Sequence, residues 1–369
     1  MSVDRTANIH ERLAAAEAAL HAVGQQLSPA IRHVDIAVLI PAYNEAKTIA
    51  DVVRSFRVAL PNARIFVYDN NSQDSTAALA REAGAIVRRE PLQGKGHVVR
   101  RMFSDIEADV YVMVDGDATY DAASAPRLVS RLIETQADMV IGARITEEKA
   151  AYRAGHHLGD RMLTGLVASI FGDRFTDMLS GYRAFSRRFV KSFPALAYGF
   201  ETEAELTVHA LHLDMVTTEV QTPYGARPAG EVSKISAFKD RIRTLGAIGR
   251  LMRDERPLQI FGAIAGATAL TSLLLAAPMA TGLALPAPTA MLIASLAVLA
   301  CINLMSGVIL EAVSVGRREM KRLAYNGIES LAAKLDRLEE TRLTLTSLRS
   351  QALNENPALG FAPRRRRTH

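Results

Sequence analysis

The stretch VYVMVDGDATYD, residues 110–121, decides how the rest of this chain is interpreted. It opens with an apolar run, residues 110–114, which is typical of a strand buried on both faces. Asp115 and Asp117 follow directly, with one glycine between them. Two carboxylates at the end of a strand suit a hard divalent cation such as Mg²⁺ or Mn²⁺. Asp and Gly are also ordinary turn residues, so a plain turn is the alternative to the predicted metal site.

Apolar runs of the same kind recur along the first half of the chain. Helical segments separate the strands predicted at residues 36–40, 65–68, 85–87, 110–114 and 139–141. This alternation predicts βαβ units and a mostly parallel sheet. Ligands of such sheets bind outside the carboxyl ends of the strands. We therefore expect one cleft where polar residues follow the strands, namely Asn44, Glu45, Asp69, Asp115, Asp117 and Arg144.

Length and composition restrict the class of protein. The 369 residues allow one large domain with accessory segments, or two domains. Cys301 is the only cysteine, which excludes an intramolecular disulfide and a zinc site made of cysteines. The formal net charge of +5 is compatible with anionic ligands or a membrane surface, but it is too small to indicate nucleic-acid binding. Residues 1–30 predict an alanine-rich amphipathic helix rather than a signal peptide.

The segment 257–316 is a second organising feature, because Glu311 is its only charged residue. Helices at about 260–283 and 289–310 would each be long enough to cross a hydrocarbon core of ~30 Å. The short ALPAPT segment between them predicts a tight turn and thus a transmembrane hairpin, with two buried helices of a soluble domain as the alternative. The positive-inside rule places both flanks in the cytoplasm, because each is basic: Lys239, Arg241, Arg243, Arg250, Arg253 and Arg256 before the hairpin, and Arg317, Arg318, Lys321 and Arg322 after it.

Five motifs in the first two thirds of the chain carry a family resemblance: IPAYNEAKTI (40–49), YDNNSQDST (68–76), VDGDA (114–118), IGAR (141–144) and DMLSGYRAF (177–185). In this order and spacing they resemble the family 2 inverting glycosyltransferases of the GT-A fold. The similarity is to the branch that transfers sugars to polyprenyl phosphates, the dolichyl-phosphate mannose synthase and bactoprenyl-phosphate glucosyltransferase group. The resemblance implies an α/β, Rossmann-like catalytic domain with a mostly parallel sheet, followed by a two-helix transmembrane hairpin.

With this resemblance, five parts of the chain are predicted. They are an N-terminal amphipathic helix (1–30), a GT-A glycosyltransferase domain (31–236), a juxtamembrane interfacial helix (237–256), the transmembrane hairpin (257–316) and a cytoplasmic C-terminal helix with a basic tail (317–369). The interfacial helix would lie on anionic lipid, or alternatively pack on the catalytic domain. The membrane and terminal helices are candidate elements of a homo-oligomer.

The resemblance also implies a binding site for the nucleotide sugar and its metal ion. Asp69 would contact the base and ribose, and Asp115 and Asp117 would bind Mg²⁺ or Mn²⁺. Thr119 stands at the position of a third ligand to the cation, and Asn70 replaces the second acid of the commoner motif. Further nucleotide-sugar contacts are assigned to Pro41, Ala42, Tyr43, Asn44, Glu45, Lys95, Arg227 and Lys234.

Residues that contact phosphate groups and the acceptor are implied in the same way. Arg144 would face the phosphates and is counted with Asp115 and Asp117 as catalytic. The loop that contains Asp177, Ser180 and Arg183 would lie near the acceptor. A late basic loop would close over the diphosphate, and its alternative is a surface loop with ordinary charges. The residues of that loop are Arg227, Ser233 and Lys234.

The function implied is the transfer of one hexose from GDP-mannose or a UDP-hexose to a polyprenyl phosphate, at the cytoplasmic face of the inner membrane. A lipid phosphate is already an anionic nucleophile, so no general base is required. The chain has no tryptophan and thus lacks the Gln-x-x-Arg-Trp motif of processive polysaccharide synthases. A glycolipid synthase acting on a hydroxyl-bearing lipid, and a non-catalytic nucleotide-sugar-binding membrane scaffold, are the alternatives.

Overall fold

The computed structural model describes residues 34–145, 175–225 apart from 198 and 200, 256–278 and 286–355, with 246, 249 and 253 as single positions. The predicted helix at 1–30, most of the predicted interfacial helix at 237–256, and the candidate residues Arg227, Ser233 and Lys234 lie outside this set. Among the described residues, those up to Ile328 form one compact unit, and those from Glu329 onward form a second.

The described residues form a seven-stranded sheet with the order β3-β2-β1-β4-β6-β5-β7. Its strands are β1 (Ile36–Ala42), β2 (Arg64–Asp69), β3 (Ile86–Arg89), β4 (Val110–Met113), β5 (Met139–Ile145), β6 (Arg183–Ser186) and β7 (Thr217–Pro223). Within it, β6 runs antiparallel to both of its neighbours, and the other pairings are parallel. The predicted α/β class with a mostly parallel sheet is confirmed.

Helices connect and cover these strands. Those of the first unit, before the apolar segment, are α1 (Ile49–Ala59), α2 (Thr76–Glu82), α3 (Lys95–Asp105), α4 (Ala125–Glu134), α5 (Arg187–Ser192) and α6 (Thr202–His212). One hydrophobic cluster joins the sheet to α3, α5 and α6. In it, the rings of Phe185 and Phe189 stack with their centroids 4.7 Å apart. The strands β6 and β7 and the helices α5 and α6 were not predicted from the sequence.

The parallel register decides where the site forms. Ala42 at the end of β1 pairs with Asp69 at the end of β2. On the other side of β1, Leu39 pairs with Met113, the last residue of β4. The residues that follow Met113 therefore leave the sheet at the same edge as Ala42 and Asp69.

Two long apolar helices follow, α7 (Pro257–Ala276) and α8 (Ala287–Asn326), and both are long and apolar enough to cross a membrane. They pack against each other, as the predicted hairpin requires. The Ser272 hydroxyl donates to the carbonyl of Ile293 (2.9 Å). A Cβ atom on Gly307 would lie 3.1 Å from Cβ of Phe261, so the two helices are in close contact there.

Glu311 links the two apolar helices at their basic end. Its carboxylate accepts a hydrogen bond from the backbone N–H of Leu258 (3.3 Å), in the first turn of α7. The first N–H groups of a helix have no partner within the helix, and a negative charge is favourable there. The single charged residue of the segment 257–316 thus caps the neighbouring helix.

Beyond its apolar part, α8 continues without a break and contacts the domain built on the seven-stranded sheet. The Arg318 guanidinium donates to Nε2 of His212 (2.9 Å), and the Tyr325 hydroxyl donates to Asp138 (2.7 Å). The Arg188 guanidinium lies 4.5 Å from the centre of the Tyr325 ring. One helix therefore belongs both to the apolar pair and to the packing of the domain. The helix α9 (Leu331–Glu355) belongs to the second unit.

Asn70, which stands where the commoner motif has an acid, is a buried structural residue at the end of β2. Its amide NH₂ donates to the carbonyls of Glu90 (3.0 Å) and Leu92 (2.7 Å). Its Oδ1 accepts from the N–H of Gly94 (2.7 Å). An aspartate cannot donate these two hydrogen bonds, so the amide is required for the loop that leads into α3.

We therefore expect Asn70→Asp to lower the free energy of unfolding by roughly 1–3 kcal/mol, because a carboxylate would face two buried carbonyl oxygens. Chemical denaturation of the purified protein measures this loss. Asn71→Asp is the matched control, since Asn71 donates to the carbonyl of Pro91 (2.8 Å) at a more exposed position. Equal losses for the two variants would contradict a structural role of the Asn70 amide.

Candidate functional site

The site lies at the carboxyl edge of β1, β2, β4 and β5, where the sequence predicts a cleft. Pro41 and Ala42 are the last residues of β1, and Tyr43 begins the loop that follows. Asp69 is the last residue of β2. Arg144 lies in β5, one residue before its end. The structure thus brings the first loop, Asp69, the Asp115–Asp117 turn and Arg144 to one edge of the sheet.

The loops after β1 and β2 are fastened to each other by hydrogen bonds. The N–H of Asn44 donates to the Ser72 hydroxyl (2.9 Å), and Oδ1 of Asn44 accepts from the N–H of Gln73 (2.7 Å). The N–H of Glu45 donates to the Thr76 hydroxyl (2.8 Å). These contacts fix the first loop next to Asp69.

The carboxylate of Asp69 has a buried oxygen that is a candidate to accept a hydrogen bond from a ligand. The residue is 7% exposed, and its Oδ1 has no hydrogen-bond partner in the described part of the chain. Buried polar atoms are nearly always hydrogen-bonded, so such an atom needs an explanation. An N–H group of a base or a ribose hydroxyl would supply the missing donor, which fits the role that the resemblance implies.

The turn after β4 is held rigidly around Asp117. Oδ1 of Asp117 accepts from the hydroxyl of Thr119 (2.6 Å) and from its N–H (3.2 Å). The Thr48 hydroxyl donates to the carbonyl of Gly116 (2.7 Å). Ala118 has φ 58°, a left-handed conformation that is unfavourable for a residue with a Cβ. Thr119 therefore orients Asp117, while its direct binding of a cation stays a prediction.

Asp115 belongs to a buried cluster of three charges. Nζ of Lys95, at the start of α3, lies 2.5 Å from Oδ1 of Asp115 and 2.5 Å from Oε1 of Glu203 in α6. Burial alone lowers the pKa of Lys95, but the two carboxylates more than offset it and raise that pKa above its ordinary value. Lys95 is thus a cation held directly at the Asp115 carboxylate. Sequence reasoning missed Glu203.

Gly181 lies against the other oxygen of Asp115. A Cβ atom at this position would be 2.5 Å from Oδ2, closer than any ordinary contact. The N–H of Gly181 donates to the hydroxyl of Tyr120 (2.9 Å), which holds the backbone in place. The loop of the DMLSGYRAF motif therefore forms one wall around Asp115, and a larger residue at position 181 would displace the carboxylate.

Arg144 and Asp177 form a bidentate ion pair on the β5 side of the site. Nε and one terminal nitrogen of Arg144 each lie 2.7 Å from a carboxylate oxygen of Asp177. Burial alone would raise the pKa of Asp177, but Arg144 holds it below its ordinary value. The Arg144 guanidinium also lies 5.4 Å from the centre of the Tyr224 ring. The two predicted phosphate and acceptor residues are thus in contact.

Two predicted acceptor residues, Arg183 and Ser180, do not reach the cleft, because both are fully buried. The guanidinium of Arg183 donates to the carbonyls of Ser180 (2.9 Å) and Met178 (2.5 Å) and to the Thr207 hydroxyl (2.9 Å). The Ser180 hydroxyl donates to the carbonyl of Gly142 (2.6 Å). The structure corrects their assignment: these side chains shape the acceptor loop from below rather than touch a phosphate.

The donor set fits a divalent cation that is shared with a ligand. No group of three or more His, Cys, Asp or Glu side chains that could hold a metal ion occurs among the residues that the structure describes. Asp115 and Asp117 nevertheless supply two carboxylates at the cleft. Mg²⁺ is typically bound by one or two carboxylates together with substrate phosphates and water. These residues therefore suit Mg²⁺ or Mn²⁺ held jointly with a diphosphate.

Comparison with known proteins gives consistent matches. Residues 37–193 match the model of the family described as Glycosyl transferase family 2. The glycosyltransferase AglJ of Haloferax volcanii is 36% identical over 243 residues, which cover 65% of this chain and 80% of that protein. The dolichyl-phosphate hexose transferase of the same organism is 28% identical over 223 residues, 60% of this chain and 96% of that protein.

A solved structure shares the fold. It is the crystal structure of glucosyl-3-phosphoglycerate synthase from Mycobacterium tuberculosis in complex with Mn²⁺, uridine-diphosphate-glucose and phosphoglyceric acid. The TM-score is 0.50 at 24% identity, and the match covers 61% of this chain and 82% of that chain. At this level of identity the likeness concerns the fold alone.

The contact between Gly181 and Asp115 generates a prediction. Gly181→Ala is expected to weaken the binding of Mn²⁺ roughly tenfold or more, because the added methyl group displaces a carboxylate that holds the cation. Titration of Mn²⁺ followed by electron paramagnetic resonance measures the affinity. Gly225→Ala is the control, since a Cβ there meets its nearest atom, the carbonyl oxygen of Thr119, at 3.9 Å. Unchanged affinity in Gly181→Ala would exclude a role of this wall in shaping the metal site.

Proposed function

This chain belongs to glycosyl transferase family 2 and has the GT-A fold, and from that premise we propose that it transfers one hexose from a nucleotide sugar to a polyprenyl phosphate. The donor in this proposal is GDP-mannose or a UDP-hexose. The product is a polyprenyl-phosphate sugar with inverted configuration at the anomeric carbon.

One observation carries the choice of a lipid acceptor. The helix α8, one of the two that are long and apolar enough to cross a membrane, also contacts the catalytic domain through Arg318 and Tyr325. A glycosyltransferase domain that is attached in this way would work at a lipid surface. A polyprenyl phosphate offers its phosphate at that surface, and the name of the Haloferax volcanii hexose transferase indicates an acceptor of this type.

Donor binding in this proposal uses the residues at the carboxyl edge of the sheet. Asp69 accepts a hydrogen bond from the base or ribose through its buried, unpartnered oxygen. Asp115 and Asp117 hold the diphosphate through Mg²⁺ or Mn²⁺, which, when bound, neutralises charge on the leaving diphosphate. Lys95 adds a positive charge beside Asp115. Arg227 and Lys234, outside the described residues, are proposed to close over the same diphosphate.

Transfer needs no base from the protein. An oxygen of the lipid phosphate attacks the anomeric carbon on the face opposite the diphosphate, and the bond between that carbon and the diphosphate oxygen breaks. The nucleophile is already an anion, so no proton has to be removed. Asp177 occupies Nε and one terminal nitrogen of Arg144 and so holds the guanidinium in orientation, and the acceptor phosphate is proposed to bind the same guanidinium. Ser233 is proposed to assist in phosphate binding.

The membrane arrangement is part of the proposal. The helices α7 and α8 would cross the inner membrane as a hairpin, with the catalytic domain on the cytoplasmic side where nucleotide sugars occur. The basic residues on both flanks of the pair support this orientation. We also propose the five-part division of the chain and the assembly of copies through the membrane and terminal helices.

The acceptor is tested with the purified full chain in lipid nanodiscs. Labelled UDP-hexoses and GDP-mannose are supplied with either polyprenyl phosphate or diacylglycerol, in the presence of Mn²⁺. We expect labelled lipid with polyprenyl phosphate, because a phosphate nucleophile needs no base. Product from diacylglycerol alone would refute the proposed acceptor and favour a glycolipid synthase.

The metal-binding role of Asp117 is tested in the same assay. Asp117→Asn is expected to lower the rate about 100-fold, because it removes a charge that stabilises the leaving diphosphate through the cation. Asp51→Asn is the control, since Asp51 is an exposed residue of α1 that is paired with Arg54. Turnover of Asp117→Asn at the rate of the unmodified protein would contradict the metal-dependent mechanism.

A further inference from the structure

Glu203 is a buried acid to which neither the sequence motifs nor the proposed transfer gives a role. It lies in the first turn of α6 and is 5% exposed. Buried carboxylates are rare unless they are paired. Its partner is Lys95, whose Nζ lies 2.5 Å from Oε1 of Glu203. The same ammonium contacts Asp115 at 2.5 Å, so Glu203 is one residue removed from the candidate metal site.

The cluster of Asp115, Lys95 and Glu203 carries two negative charges and one positive charge. The side chains of Lys95 and Glu203 are 10% and 6% exposed, so water screens their interaction little. An ammonium has three donors and can serve both carboxylates at once. The cluster therefore retains one net negative charge next to Asp117, which attracts a cation.

A cation that binds Asp115 would repel the ammonium of Lys95, because both are positive and share one carboxylate. Lys95 contacts Oδ1 of Asp115, and Glu203 is the second carboxylate that its ammonium contacts. A displaced Lys95 therefore moves toward Glu203. Without a charge at Glu203, Lys95 would be left with Asp115 alone and would compete with the cation.

We propose that Glu203 is a positioning residue that holds Lys95 beside Asp115 in the free protein and retains Lys95 when a divalent cation takes over Asp115. This inference rests on the proposed function and deepens it, because it adds a residue that regulates the exchange of Lys95 for metal at Asp115. Lys95 remains at the cleft after the exchange, where its charge faces the diphosphate.

Titration of the full chain with Mn²⁺ alone, followed by electron paramagnetic resonance, tests the proposal. Glu203→Gln is expected to weaken Mn²⁺ binding about tenfold, because it removes a negative charge and lets Lys95 pair with Asp115 in competition with the cation. Lys95→Gln is expected to strengthen Mn²⁺ binding by a similar factor, because it removes the competing cation. These opposite shifts separate the proposal from a merely structural role, which would not strengthen binding in either variant.

Two further variants serve as controls. Glu107→Gln removes the same charge from a pair with Lys191 at the opposite end of β4, and it should leave Mn²⁺ binding unchanged. Glu203→Asp keeps the charge on a shorter side chain, and its affinity should lie between those of the unmodified protein and Glu203→Gln. It also replaces Glu203→Gln in the test if thermal unfolding shows that Glu203→Gln does not fold.

The outcomes separate the inference from the function on which it rests. If Glu203→Gln and Lys95→Gln shift the affinity in the same direction, or not at all, while Asp117→Ala abolishes Mn²⁺ binding, the inference is wrong and the metal site stands. If Asp117→Ala binds Mn²⁺ as the unmodified protein does, the metal-dependent function itself is wrong. Opposite shifts of Glu203→Gln and Lys95→Gln, with loss of binding in Asp117→Ala, support both.

Discussion

Parallel pairing of β1 with β2 on one side and with β4 on the other is the constraint on which the site depends. Strands in the same direction bring their following loops to one edge, so residues distant in sequence become neighbours. Thr48 can then hold the carbonyl of Gly116, and Glu45 can hold Thr76. The polar groups that would bind a nucleotide and its cation are thus positioned by the hydrogen bonds of the sheet before any ligand arrives.

The first five strands could be predicted because each contains an apolar run, and Asp, Asn or Arg residues follow closely after four of them. Strands β6 and β7 could not be predicted in this way. In β6 there are four residues, RAFS, that begin with a buried arginine, and in β7 the polar sequence TTEVQTP forms a half-buried strand. Their place in the sheet is set by tertiary pairing with β4 and β5, which no local pattern encodes.

The candidate site shows the same division between local pattern and tertiary contact. Asp69, Asp115 and Asp117 could be found because each follows an apolar run that predicts a buried strand, at the edge of the sheet where ligands bind. Arg183 is assigned to the acceptor by the resemblance of the DMLSGYRAF motif, whereas in the structure three buried acceptors hold its guanidinium in the core. Glu203 was missed because an acid in the first turn of a helix resembles a solvated charge. The burial of every residue of α6 was the missing information.

Because α8 is unbroken, the number of residues between Glu311 and Arg318 fixes the rotation of the catalytic domain about the helix axis. Glu311 fixes the helix to its apolar neighbour, and Arg318 fixes the same helix to the catalytic domain. An α-helix turns by ~100° per residue, so one inserted residue would swing the cleft to a different azimuth about the helix axis. Seven inserted residues would restore the azimuth to within ~20° and raise the cleft by ~10 Å. In the proposed membrane arrangement, the segment of α8 between Glu311 and Arg318 therefore sets the direction in which the cleft opens over the bilayer surface.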